Sequence, residues 1–153
     1  MDKVKIIKSE TEELLKKIGL SVDEVSVKTE DEACFVQIKS TADAPFLIGR
    51  YGETLQAIQR IMEVILFKIF GKNIELVVNV NDYRERQKAR LEKIAEEIAQ
   101  KVMTEKKEEA LSPFSSYERK IIHEYVSEHY QELTSYSVGE EYNRTLIIAI
   151  KKD

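Results

Sequence analysis

The chain has 153 residues, 28 acidic and 24 basic, for a net charge of -4. At roughly 100–200 residues per domain, that is one domain or two small ones. An apolar fraction of 42% is enough for a core, and charged residues at 34% with both signs interspersed exclude disorder. The single cysteine, Cys34, excludes a disulfide framework or a Cys-rich zinc module, and a pI near 5.4 argues against coating nucleic acid by bulk charge.

Residues 9–19 read as a short amphipathic helix, with Ser9 and Glu12 at capping-box spacing, Leu14, Leu15 and Ile18 on one face, and Gly19 as the stop. The period then changes to two. Val25 and Val27, then Cys34, Val36 and Ile38, alternate with polar neighbours about a Glu30-Asp31 turn, which makes a hairpin. Residues 42–70 are helical with one break at Gly49-Arg50-Tyr51-Gly52, and Leu55, Ile58, Ile61, Met62, Ile65, Leu66 and Ile69 form a long apolar stripe ending at Gly71. Ile74, Leu76, Val78 and Val80 alternate as a third strand.

At residue 81 the composition shifts, opening a highly charged helix, 82–105, with Asp82 as N-cap and Leu91, Ile94, Ala95, Ile98 and Val102 as its stripe. Ser112-Pro113 is a break, and Ser115 or Ser116 can cap the next helix, which carries Tyr117, Ile121, Ile122, Tyr125 and Val126. LTSYSV and TLIIAI are strands joined by GEEYNR, and ALS offers a further short strand. The expected fold is α+β in two small modules: α-β-β-α-α-β over 1–81, then α-α-β-β over 82–153, with helix 82–105 as connecting strut. Residues 1–81 hold 11 basic and 13 acidic residues, so neither module is basic overall.

Three groups could contact nucleic acid. In Gly49-Arg50-Tyr51-Gly52, two glycines let backbone approach a phosphate, and the following helix offers free N–H groups and a positive dipole end. Arg50 adds a forked contact, and Tyr51 a ring or hydroxyl for a sugar or base. The plain alternative is a helix–turn–helix corner. Arg119 and His123, four apart, share one helix face with Lys120 beside Arg119; a cation and an imidazole can hold a phosphate, and a ring can stack on a base. Against this, Arg119 could be a surface ion-pair partner and His123 a packing residue. Arg84, Arg86, Lys88, Arg90 and Lys93 outweigh Glu85 and Glu92, a local charge of +3, or simply a solvated helix face.

Catalytic sets are missing. His123-Glu124 begins like a zincin motif, but the next histidine is His129, six positions on, off the required face. There is no Walker loop and no dinucleotide fingerprint, and two histidines with one cysteine give little material for a nucleophile and base. No catalytic residue, metal ligand or cofactor is expected. Cys34 reads as a small buried apolar residue. Asn143-Arg144-Thr145 is a glycosylation sequon in form only. The opening MDKVKIIKSE lacks an apolar export core, and Lys68 interrupts the longest apolar run, so the expected location is cytoplasmic with no membrane insertion.

The order α-β-β-α-[GxxG]-α-β resembles a type II KH domain, whose GxxG loop holds about four nucleotides. NVNDYRERQKARLEKIAEEIAQKV and SPFSSYERKIIHEYV resemble the junction and the R-x3-H signature of the bacterial Jag/KhpB (SpoIIIJ-associated protein) family. SYSVGEEYNRTLIIAIK resembles the closing hairpin of that domain. Tyr51 replaces a basic residue that members often carry inside the loop, and the expectation is of a chain that opens directly on the KH-like helix rather than on the family's separate N-terminal Jag domain. The resemblance implies a non-catalytic single-stranded RNA-binding protein, a post-transcriptional regulator linked to cell elongation and division. Single-stranded DNA is a further ligand to test, and a small KH-domain protein or a second copy of the chain are the protein partners implied. The rival reading is a protein-interaction adaptor or dimerisation module with incidental nucleic-acid binding.

Overall fold

A computed structural model describes residues 2–111, 114–140 and 143–152. The chain divides into two compact units, Met1–Arg84 and Glu85–Asp153. Both mix helix and strand, as the α+β expectation requires.

The first unit runs α1 (Lys3–Lys17), β1 (Glu24–Glu30), β2 (Ala33–Lys39), α2 (Ala44–Ile48), a tight turn over Arg50–Gly52, α3 (Glu53–Phe70) and β3 (Leu76–Val80). Helix α1 starts six residues earlier than the sequence suggests. Asp2, not Ser9, is the N-cap, its carboxylate accepting from the Val4 and Lys5 amides at 3.2 and 3.5 Å. The buried stripe is Ile7, Thr11 and Leu15 at four-residue spacing, and the Thr11 hydroxyl is satisfied on the Ile7 carbonyl at 2.7 Å. A polar residue in that stripe hides its first turn from a count of apolar positions. The helix closes in a Schellman motif: Leu20 N donates to Leu15 O, and Gly19 N to Lys16 O, both at 3.1 Å.

Strands β1 and β2 pair antiparallel with Val25 opposite Ile38 and Val27 opposite Val36. Strand β3 lies parallel to β2, Val36 opposite Val78 and Ile38 opposite Val80, giving the order β1-β2-β3. A parallel neighbour requires a crossover, and α2, the glycine turn and α3 supply it. Strand β3 begins at Leu76, whereas Ile74 precedes it as a buried anchor. Cys34, Val36, Ile38, Val78 and Val80 face Leu47, Leu55, Ile58, Met62 and Leu66 in one apolar core. Cys34 is buried there, as a small apolar residue would be.

The second unit takes most of α4 (Tyr83–Glu105), then β4 (Glu109–Leu111), α5 (Ser116–His129), β5 (Leu133–Val138) and β6 (Thr145–Ile150). The short strand expected at ALS is present as β4; its Ser112, the Ser112-Pro113 break, and Glu141 and Tyr142 of the last loop lie outside the described residues. The sheet order is β4-β6-β5, antiparallel throughout, with Ser135 opposite Ile148 and Leu111 opposite Leu146. Helix α4 buries Leu91, Ala95, Ala99 and Val102, and α5 buries Ile121, Ile122 and Val126, against Leu133, Leu146 and Ile148. The small Ala95 and Ala99 form the centre of the α4 stripe, leaving the larger Ile94 and Ile98 half-buried at its flank. No helix among the described residues is long and apolar enough to cross a membrane.

Candidate nucleic-acid interface

Helix α2 is anchored by a polar knot rather than by its own cap. The Asp43 carboxylate accepts from Ser21 N at 2.6 Å, and the Ser40 hydroxyl donates to Ser21 O at 2.7 Å. Asn81 ties the end of β3 to Ser40 through its side-chain amide, 3.1 Å to Ser40 N and 3.0 Å to Ser40 O. This fixes the ends of β2 and β3 around the start of α2. Pro45 sits in the first turn, where its missing N–H costs nothing.

At the other end of α2 the chain turns through Gly49-Arg50-Tyr51-Gly52. Gly49 has φ 71 and ψ -176, and Gly52 φ 78 and ψ 13, both conformations that side chains disfavour. The room that the glycines leave is filled by the protein itself. A Cβ on Gly49 would lie 2.8 Å from Thr54 Cβ and 2.9 Å from Thr54 N; one on Gly52 would lie 3.0 Å from the Tyr83 hydroxyl. The glycines are therefore required by internal packing, not only by the approach of a ligand. The groups presented outward are Arg50 and Tyr51. Tyr51 is 54% exposed. It is held at φ 54, an outlier for a bulky side chain. The Arg50 guanidinium lies 5.5 Å from the centre of the Tyr51 ring, a cation–π contact. Phe46, on α2, is 68% exposed. Motif spacing does not single it out; its position between Pro45 and the buried Leu47, off the core stripe, is the signal that could have found it.

The basic run of α4 is not a uniform row of outward cations. Arg84 is half-buried, and its Nε donates to Val78 O at 2.6 Å while Nη2 donates to Gln59 Oε1 at 2.9 Å. Gln59 Oε1 also accepts from Val78 N at 3.0 Å. Together Gln59 and Arg84 satisfy both backbone groups of Val78 on the open side of edge strand β3, which protects that edge from pairing with another chain. Further along, Arg90 reaches Glu118 at 3.4 Å, Lys88 reaches Glu92 at 3.7 Å and Lys93 reaches Glu97 at 4.0 Å. Arg86 is exposed on the same helix.

Helix α5 opens on a capping box. Ser115 Oγ accepts from Glu118 N at 3.2 Å, and Glu118 Oε2 accepts from Ser115 N at 2.8 Å. The other carboxylate oxygen of Glu118, which is only 3% exposed, faces Arg90 and Gln87. Arg119 braces the same turn, Nη1 donating to Phe114 O at 2.7 Å and Nη2 to Ser116 Oγ at 3.0 Å. These bonds fix the direction of a half-exposed guanidinium that retains further N–H donors. One turn on, His123 Nδ1 is 2.5 Å from the buried Ser135 hydroxyl on β5, so the ring is oriented and Nε2 is the nitrogen left for a ligand. Lys120 lies beside them, 3.7 Å from Glu124 at a solvent-exposed pair. Among the described residues no cluster of His, Cys, Asp and Glu could hold a metal ion.

Residues 89–149, which include Arg119, Lys120 and His123, match the model of the R-x3-H domain. Curated relatives add the adjoining sequence. The chain is 34% identical over 112 residues to the RNA-binding protein KhpB of Lactiplantibacillus plantarum, covering 73% of this chain and 34% of that protein. It is 36% identical over 111 residues to RNA-binding protein KhpB of Clostridium symbiosum, 72% of this chain and 50% of the relative. The corresponding figures for RNA-binding protein KhpB of Bacillus subtilis are 36% over 110 residues, 71% and 53%. The match thus spans between a third and about half of the length of these relatives. With its R-x3-H domain on α4 to β6 and this similarity running beyond it, the chain belongs to the Jag/KhpB family.

Proposed function

We propose that this chain is a non-catalytic binding protein for single-stranded RNA, with a KH-like first unit and an R-x3-H second unit. The observation that carries the reading is the outward Arg50–Tyr51 pair, held on a strained turn at the mouth of the 18-residue helix α3. A bulky residue at positive φ costs about 1–3 kcal/mol, a strain that concentrates at binding sites. Arg50 would take a phosphate with the opening amides of α3. Tyr51 and the exposed Phe46 offer faces on which unstacked bases lie. The second unit would supply a contact set of its own in Arg119, Lys120 and the Nε2 side of His123, with the exposed Arg86 of α4. Arg84, whose fork is spent inside the first unit, is left out of the interface. That the relatives are RNA-binding proteins by name supports RNA as the ligand, and regulation of transcripts linked to cell elongation and division is the role that fits the family.

The test is fluorescence anisotropy with a labelled pool of short random-sequence single-stranded RNA, competed with a hairpin stem. Single strands should compete better, because a duplex hides its base faces. Arg50→Ala should weaken binding and lower the salt slope by about 0.7, the value for one phosphate contact on a single strand. Equal competition by stem and single strand, or an Arg50→Ala protein that binds like the parent, would overturn the reading.

The adaptor reading has one observation in its favour. Ile61, Val64 and Phe67 are each about half exposed on the face of α3 turned from the core. A sedimentation experiment without RNA decides it: a concentration-dependent dimer abolished by Val64→Lys would assign that face to protein contact.

A further inference from the structure

Inside the glycine turn, the bond from Gly52 N to Gly49 O is long, 3.4 Å. That weak bond and the one from Glu53 N to Arg50 O leave the shape of the turn dependent also on what packs against it. Tyr83, the first residue of α4, provides that packing. Its Cε1 and hydroxyl stand 3.1 and 3.0 Å from where a Gly52 side chain would begin, and the ring is itself packed against the core of the first unit. The next residue secures it: Arg84 N donates to Asn79 Oδ1 at 3.2 Å, and its guanidinium is tied to Val78 and Gln59. Two consecutive residues thus hold two points of one assembly. Tyr83 bears on the start of α3 where the turn ends, and Arg84 on the middle of α3 and on β3.

We infer that Tyr83 is a positioning residue for the RNA-contacting turn, setting the direction of the α3 amides and of the Arg50–Tyr51 tip without touching the RNA. Gly52 and Tyr83 form a matched pair: the buried glycine leaves the space and the tyrosine fills it. The inference rests on the reading of the turn as an RNA contact. Without Tyr83, the turn samples several shapes, and RNA must select the competent one, which lowers the apparent affinity by the fraction competent.

The experiment compares Tyr83→Ala, Tyr83→Phe and Arg50→Ala with the parent chain. Each is titrated with the same labelled random RNA pool at several salt concentrations, at a temperature where circular dichroism shows every variant folded. Tyr83→Ala should bind about tenfold more weakly, with the salt slope of the parent because no charge is removed. Amide exchange at residues 52–55 should accelerate more than at residues 76–80. Tyr83→Phe, which keeps the ring over Gly52, should bind within about twofold of the parent. If Tyr83→Ala unfolds, Tyr83→Leu carries the same expectation, since it keeps most of the buried volume but not the reach to Gly52. Parent-like affinity in the folded Ala or Leu variant, beside a weakened Arg50→Ala, overturns the inference and leaves the site standing. Parent-like affinity in Arg50→Ala as well overturns the site itself.

Discussion

Gly49→Ala should destabilise the first unit by about 2–6 kcal/mol, far more than the exchange of one hydrogen for a methyl group suggests. At φ 71 and ψ -176 the residue lies in a region essentially confined to glycine, and holding alanine there costs about 1–3 kcal/mol. The new Cβ would also press on Thr54 at 2.8 Å from its Cβ and 2.9 Å from its backbone nitrogen. That nitrogen belongs to the first turn of α3 and cannot withdraw, so overpacking adds about 1–3 kcal/mol. Gly71, at the end of α3, is the control. Its φ is 70 and ψ 9, and nothing lies within 4 Å of its would-be Cβ, so alanine there meets the left-handed penalty alone, about 1–2 kcal/mol. Gly52→Ala falls between, because it adds the Tyr83 ring to a comparable backbone term, and that ring has some room to give. Urea unfolding followed by circular dichroism gives the midpoints, and amide exchange at residues 76–80 assigns the loss to the first unit. An alanine at 49 that costs no more than one at 71 would refute the claim that the turn glycines answer an internal demand.

The second unit allows equally direct tests. Glu118→Ala removes half of the capping box and takes an acceptor from the buried Gln87, so thermal melts should show the second unit weakened by about 2–3 kcal/mol; a change under half that would mean the box is incidental. Arg119→Ala should weaken RNA binding and lower the salt slope by about 0.7, while His123→Ala should weaken binding with little change in slope, as titrations at several salt concentrations would show. If both change only the melting temperature, the pair is scaffold and RNA is held by the first unit. Glu53, exposed in the first turn of α3, opposes a phosphate there. Glu53→Gln should tighten binding by about twofold to fivefold at low salt, at a small cost to helix stability; anisotropy with no gain would place the phosphate elsewhere.

Most of the architecture was legible because burial imposes a period on the chain. Val25, Cys34, Val36, Ile38 and the β3 valines alternate, and Leu55, Ile58, Met62 and Leu66 recur at helical spacing, since each faces one core. The start of α1 was not legible, because Thr11 stands in the buried stripe and its hydroxyl is satisfied by Ile7 O, a bond that composition does not announce. The glycine turn and the Arg119–His123 spacing were visible as motifs. What each side chain does in them was not. Arg84 and Arg119 are both arginines in basic surroundings, yet one spends its fork on Val78 and Gln59 and the other on the first turn of α5. Such assignments depend on three-dimensional neighbours 6 and 25 positions away in one case and 3 and 5 in the other. Exposure of Phe46 is equally a property of the packed structure.

These details change where binding energy can come from. A glycine pair in a phosphate loop is ordinarily read as clearance for the ligand. Here the clearance at Gly49 is taken by Thr54 and that at Gly52 by Tyr83, so no phosphate gains room from either missing side chain. What remains for a ligand is what the turn pushes outward, one guanidinium and one tyrosine ring, with the α3 amides that follow Glu53, whose own N–H already donates to Arg50 O. With a net charge of -4 and acidic partners on Lys88, Arg90, Lys93 and Lys120, long-range attraction is weak. Affinity must then rest on a few contacts held in fixed directions, and loss of rigidity in the turn becomes as damaging as loss of a charge. On the proposed site, that puts Tyr83, which packs behind the turn at Gly52, on the same footing as Arg50, which would meet the phosphate.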